Sequence, residues 1–233
     1  MPASAEEYST KDPAYFGAVR TDILQLLGGP NGRVLEIGCG TGDTLAFLKA
    51  QGLCSWTAGV ELFPSAASIA RDRVDRLFEG NIETMDIDLE PGSIDAILCL
   101  DVLEHLIDPW AVVRKLDRLL RPGGILIASI PNVRHVKVLA PLILRGRWDY
   151  ADSGLLDRTH LRFFVRDTAI ALLESSGLQV DAVRANGPLV PGSMLALLNK
   201  LTFSLFQGFL DFQYLIRARK ASGPGSAGTG RED

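Results

Sequence analysis

Short runs of leucine and β-branched residues alternate along this chain with stretches whose apolar residues recur at helical spacing. The apolar runs predict strands at Arg33–Ile37, Trp56–Val60, near Phe78, and at Ile94–Leu100, Ile125–Ser129, Gln179–Arg184 and Gln213–Arg219. The periodic stretches predict helices over Pro13–Leu27, Asp43–Gln51, Ser65–Leu77, Pro109–Leu120, His135–Leu144 and Asp167–Ser176, with an irregular loop through Asp157. Near-continuous apolar strands separated by helices bury both faces of a sheet. The pattern therefore predicts an α/β fold with a mostly parallel sheet covered by helices on both sides.

The first of these strands ends in Gly38-Cys39-Gly40-Thr41-Gly42. Three alternate glycines remove Cβ crowding where a backbone must approach a nucleoside-sized ligand. The spacing is Gly-x-Gly-x-Gly, which departs from the Gly-x-Gly-x-x-Gly of dinucleotide folds, and no Tyr-x-x-x-Lys accompanies it; a nicotinamide oxidoreductase is disfavoured. The next strand ends in Glu61, about 20 residues beyond the loop, where a carboxylate accepts from both ribose hydroxyls.

Together these segments resemble motif I and the following acidic position of class I S-adenosylmethionine-dependent methyltransferases. Asp101-Val102-Leu103-Glu104-His105-Leu106 and Leu120-Arg121-Pro122-Gly123-Gly124 are similar to later segments of that superfamily. Pro131-Asn132-Val133-Arg134-His135, Gly146-Arg147-Trp148 and the run from Leu156 to Phe164 resemble a bacterial subgroup associated with sugar and polysaccharide biosynthesis. The resemblance covers roughly residues 15 to 185. It implies a Rossmann-like, seven-stranded sheet with an antiparallel last strand, and S-adenosylmethionine as cofactor. It also implies that Glu36, Gly38, Cys39, Gly40 and Gly42 face the methionine portion, Glu61 with Leu62 the ribose, Asn81 and Ile82 the adenine, and Leu100, Asp101 and His105 the amino group and sulfonium surroundings. Asn81 stands where Asp is more usual. Tyr15, with Tyr8 and Phe16, is placed either as a lid over the cofactor or as docking for the first helix.

Domain boundaries follow: an N-terminal helix and lid region over 1–28, the methyltransferase domain over 29–219 with substrate-side insertions at 132–165 and 187–211, and a Gly/Ser-rich tail over 220–233. The chain's 233 residues, 47% apolar, suffice for one substantial core. A net charge of −4 argues against a broad nucleic-acid surface and for a small-molecule acceptor. Cys39, Cys54 and Cys99 show no metal spacing; with no secretory signal or membrane span in the sequence, a cytoplasmic protein is expected.

Methyl transfer to a hydroxyl needs alignment, exclusion of water and removal of a proton. The residues offered for that proton are His160, oriented by Asp157, and His135 as the second candidate; His105 is placed in the cofactor wall. No metal is expected, because convergence of Asp101, Glu104 and His105 would require an irregular turn. Arg145, Arg147, Arg158, Arg162 and Arg166 either grip a phosphate or nucleotide-sugar, or tie the loop. Met194–Leu210 carries an apolar stripe read as core packing, with a lipid-linked acceptor or peripheral membrane contact as the other reading. The expected activity is O-methylation of a sugar, nucleotide-sugar or polysaccharide intermediate. A quinone or other secondary metabolite is the alternative acceptor, and a noncatalytic cofactor-binding partner protein the alternative of another class. The oligomeric state is left open.

Overall fold

A computed structural model of the chain describes residues 17–186 and 207–222. The expectations for Tyr8, Tyr15 and Phe16, and most of those for 194–210 and for the tail, lie outside these residues. Seven strands form one sheet: β1 (Asn31–Ile37), β2 (Cys54–Glu61), β3 (Arg76–Glu79), β4 (Ile94–Leu100), β5 (Leu120–Pro131), β6 (Gln179–Asn186) and β7 (Gln213–Arg219). Their order is β3-β2-β1-β4-β5-β7-β6. β7 runs antiparallel to both of its neighbours and the other pairings are parallel, as the resemblance implied.

Alternation along the strands divides the core. Val34, Ala96, Leu98 and Ile127 pack with Leu45 and Leu48 of helix α1 (Asp43–Ala50) and with Ile23 and Leu26 of a short helical stretch before β1. Leu35, Ile37, Ile97 and Leu126 face the other way, onto Val112 and Leu116 of α3 (Pro109–Leu119) and Leu172 and Leu173 of α5 (Arg166–Glu174). Strands buried on both faces read as unbroken apolar runs, which is why the sequence locates them well.

Two helices are shorter than their periodicity predicts. Ser65–Leu77 is helical only within α2 (Pro64–Ala70), because Asp75 is captured by Thr57, whose N–H and Oγ donate to it at 2.9 and 3.1 Å, and by Lys49. Upstream, helix occupies only Thr21–Leu27 of the described residues. Arg20 instead turns its guanidinium toward Asp22 and the end of β4. Between β5 and α5 lie α4 (Val136–Arg145) and an irregular loop through Asp157.

Candidate functional site

The strand order reverses between β1 and β4, and in open α/β sheets ligands bind beyond the carboxyl ends of strands at such a point. A cavity of about 700 Å³ opens there, within the range of small-molecule sites. Its floor is the glycine loop. Gly38 has φ +67°, and a Cβ there would lie 2.7 Å from Val102 Cγ2, so only glycine lets β1 turn beneath the end of β4. Gly42 does not line the cavity; it sits at the N-terminus of α1 with φ +79°, its Cα side against Val74 and Ala70, and its role is to fold the loop.

Glu61 fastens that loop. Its Oε2 accepts from the Gly40 N–H at 2.8 Å and its Oε1 from the Phe63 N–H at 2.9 Å. Burial raises its pKa, against the opposing pull of these backbone donors. Glu36 has a different surrounding: it is 4% exposed, and among the described residues its buried Oε2 has no hydrogen-bond partner. Burial, opposed by Arg20 and reinforced by Glu61, pushes its pKa from 4.5 to about 8. An orphaned acidic oxygen in the cavity wall is a receptor for a cationic or hydrogen-bond-donating group.

Arg20 was not singled out by sequence and lines the same wall. Burial alone would pull its pKa down, but Asp22 and Asp101 together hold it above its usual value. Asp101 occupies a strained conformation, φ +58°, kept there by Arg20, Ser129 and Gln213. The network fixes a carboxylate at the mouth of β4. On the other side, Ile82, Leu62 and Leu100 supply apolar surface. Asn81 also lines the cavity, and its Oδ1 accepts from the Glu83 N–H at 2.8 Å in a turn-forming bond, so the amide NH₂ is the part with which it can meet a ligand.

Leu103–His105 is a single tight 3₁₀ turn, not a regular helix. This irregular turn brings Glu104 and His105 together with His160 from the loop: their ligand-capable atoms all lie within 4.8 Å of one another. Asp101 is not part of that group. Glu104 is 1% exposed, and neither carboxyl oxygen has a hydrogen-bond partner among the described residues. Its Oε1 lies 4.0 Å from His160 Nε2, and burial, then the charge of Asp101, raises its pKa well above the ordinary range. His160 Nδ1 is 3.3 Å from the Leu155 carbonyl oxygen, which selects the tautomer with hydrogen on Nδ1 and the lone pair on Nε2. The His105 ring packs edge-on to it at 4.7 Å.

Asp157 lines the cavity, and its Oδ1 accepts from the Thr159 N–H and Oγ at 2.9 and 2.7 Å, shaping the loop that presents His160. Glu104 was missed as His160's neighbour because the contact joins two irregular segments far apart in sequence. His135 is not among the residues lining the cavity. Its Nδ1 accepts from the Lys137 N–H at 3.1 Å as the cap of α4, and its ring meets Phe212 at 5.6 Å. Nor do the loop arginines converge on the cavity. Arg147 pairs with Asp149, Arg158 with Asp152 and Arg166 with Asp167, while Arg162 donates to backbone carbonyls, so the loop-tying reading describes these four, and Arg145 is exposed at the end of α4.

Comparison with known proteins agrees with this architecture. The family described as a methyltransferase domain matches residues 13–183. The chain is 30% identical over 174 residues to a ubiquinone biosynthesis O-methyltransferase of Xanthomonas campestris, covering 66% of this chain and 69% of that protein. A crystal structure of an S-adenosylmethionine-dependent methyltransferase from Thermotoga maritima, titled as a possible histamine N-methyltransferase, superposes with a TM-score of 0.59 at 20% identity, covering 85% of this chain and 86% of that one. Phosphoethanolamine N-methyltransferase 2 of Haemonchus contortus, solved with S-adenosylmethionine, gives 0.59 at 16% identity, covering 86% of this chain and 52% of that one.

Proposed function

The chain belongs to the methyltransferase domain family, and from that premise we propose that it is an S-adenosylmethionine-dependent O-methyltransferase acting on a ring hydroxyl of a quinone-type or related aromatic acceptor. The cofactor, when bound, supplies an electrophilic methyl carbon. The residues fit it: the orphaned Glu36 oxygen meets the methionine ammonium, Glu61 the ribose hydroxyls, and Asn81 with Ile82 the adenine.

The observation that carries the acceptor chemistry is His160, buried in the cavity wall with Nδ1 against the Leu155 carbonyl. With its lone pair on Nε2, it takes the hydroxyl proton as the oxygen attacks. Glu104, with its Oε1 4.0 Å from Nε2, is the buried neighbour on that side of the ring. Asp157 positions the loop and Arg20 with Asp101 the opposite wall.

The quinone-type acceptor is favoured over the sugar on two grounds. The relatives at about 30% identity are named for ubiquinone biosynthesis. The cavity wall flanking His160 and Asp101 includes Val102, Leu106, Pro131 and Phe212, while Arg147, Arg158, Arg162 and Arg166, which would have gripped a sugar diphosphate, are tied to loop groups. Release of S-adenosylhomocysteine, followed across catechols, hydroxylated quinols and nucleotide-sugars, tests this reading. Turnover confined to the aromatic hydroxyls supports it, and turnover on a nucleotide-sugar alone overturns it.

The convergence of Glu104, His105 and His160 favours a second reading of the proton-removal step, in which these three hold a divalent cation that acidifies the hydroxyl. Chelator separates the two. Full turnover in chelator assigns the proton to His160, whereas loss restored by Mg²⁺ or Mn²⁺ assigns it to a metal-bound hydroxyl.

A further inference from the structure

Helix α4 carries its apolar surface on the wrong side for a helix that only packs on a sheet. Val138 is its buried contact with the body. Val136, Ala140, Ile143 and Leu144, spaced i, i+4, i+7 and i+8, form a second stripe on the opposite face. Ile143 and Leu144 are 75% and 79% exposed, the two most exposed large apolar side chains among the described residues, with Val136 and Leu142 also exposed. A helix apolar on both faces needs a second apolar medium.

The charge around this stripe names the medium. Arg134, Lys137, Arg145 and Arg147 lie between Val133 and Trp148, in a chain whose net charge is −4; Arg147 is paired with Asp149 just beyond and Arg134 lies over the Phe209 ring, so Lys137 and Arg145 carry the positive charge beside the stripe. Lys137, Arg145 and Arg147 are exposed, and Tyr150, an interfacial residue type, is 57% exposed just beyond. An apolar stripe flanked by basic side chains matches the acyl boundary and phosphates of an anionic bilayer. The helix begins at Val136, a short turn after Pro131, which lines the cavity, so docking α4 brings the cavity toward the lipid.

We propose that α4 is a peripheral membrane-docking helix, with Val136, Ala140, Ile143 and Leu144 entering the acyl boundary of an anionic bilayer and Lys137 and Arg145 contacting its phosphates. Docking is independent of the acceptor named above, and its readout is not activity. Among the described residues no helix is long and apolar enough to cross a membrane, so the contact is at the surface.

The test is flotation of the full chain with phosphatidylcholine vesicles, with and without phosphatidylglycerol. The chain floats with the anionic vesicles, and replacing Lys137 or Arg145 by Gln lowers the partition about fivefold. The double variant Ile143→Asp/Leu144→Asp lowers it at least about tenfold, because two apolar insertions are lost and two charges repelled. Both positions are exposed, so its unfolding midpoint stays that of the parent, which separates lost docking from lost folding. Failure of the parent chain to float, or equal flotation of the double variant, overturns the proposal. So does lipid-free self-association in sedimentation velocity that the double variant abolishes, since the face would then belong to a second copy.

Discussion

Replacing Glu36 with Gln exchanges ligand binding for stability, and the structure sets the size of the exchange. The buried carboxyl titrates near 8 in the fold against an ordinary 4.5, chiefly from burial. A carboxyl with a raised folded pKa keeps its proton longer in the fold than in the unfolded chain. The fold therefore loses stability as pH rises from about 4.5 and loses no more above about 8. At 1.36 kcal/mol per pKa unit, ionisation of this one group costs about 1 kcal/mol at pH 5 and about 3 kcal/mol at pH 7. That is a large share of the roughly 5–15 kcal/mol that holds a domain together. Gln has the same shape and no charge, so urea unfolding without cofactor should show Glu36→Gln more stable than the parent, by a margin that widens between pH 5 and 8. Cofactor affinity should fall at least about tenfold, the loss of a charge-assisted bond. With a pKa near 8, about nine-tenths of Glu36 is protonated at pH 7, so binding an ammonium should expel close to one proton from the parent and none from this position in the variant. Calorimetry in buffers of different ionisation enthalpy measures that release. Parallel stability curves for parent and variant across this pH range, together with equal proton release, would refute the assignment of Glu36 as the ammonium receptor.

His160→Ala should lower kcat about 10²–10⁴-fold with cofactor affinity unchanged, measured by steady-state turnover and by titration; unchanged kcat removes His160 from proton transfer. His135→Ala should leave kcat at the parent value and lower the urea midpoint, since it removes the cap of α4 at a cost of about 1 kcal/mol. Gly42→Ala meets Val74 Cγ1 at 3.2 Å and forces alanine to φ +79°, so it should destabilise by about 1–2 kcal/mol in chemical unfolding.

The inner strands were legible because they are buried on both faces, and Ile94–Leu100 is found at the residues its apolar run marks. Helix ends were less so. Asp75 stops α2 through a side-chain bond to Thr57 on β2, and the periodicity of Ser65–Leu77 contains no trace of that partner. In the site, residues at strand ends were readable from position alone, and Glu36, Gly38, Glu61 and Asp101 all line one cavity. Arg20 and Glu104 were not, since each acts through partners on distant segments. His135 and His160 look equivalent as histidines in carboxyl-side loops; only the fold separates a helix cap from a side chain in the cavity wall.

Most direct of all is single-turnover methyl transfer from labelled S-adenosylmethionine to a catechol or hydroxylated quinol acceptor, with the labelled atom located by mass spectrometry. Label on the ring oxygen, lost in His160→Ala while that variant still binds cofactor, is the predicted result. Cofactor binding with no transfer to any aromatic hydroxyl, or label on nitrogen or carbon, would contradict the account.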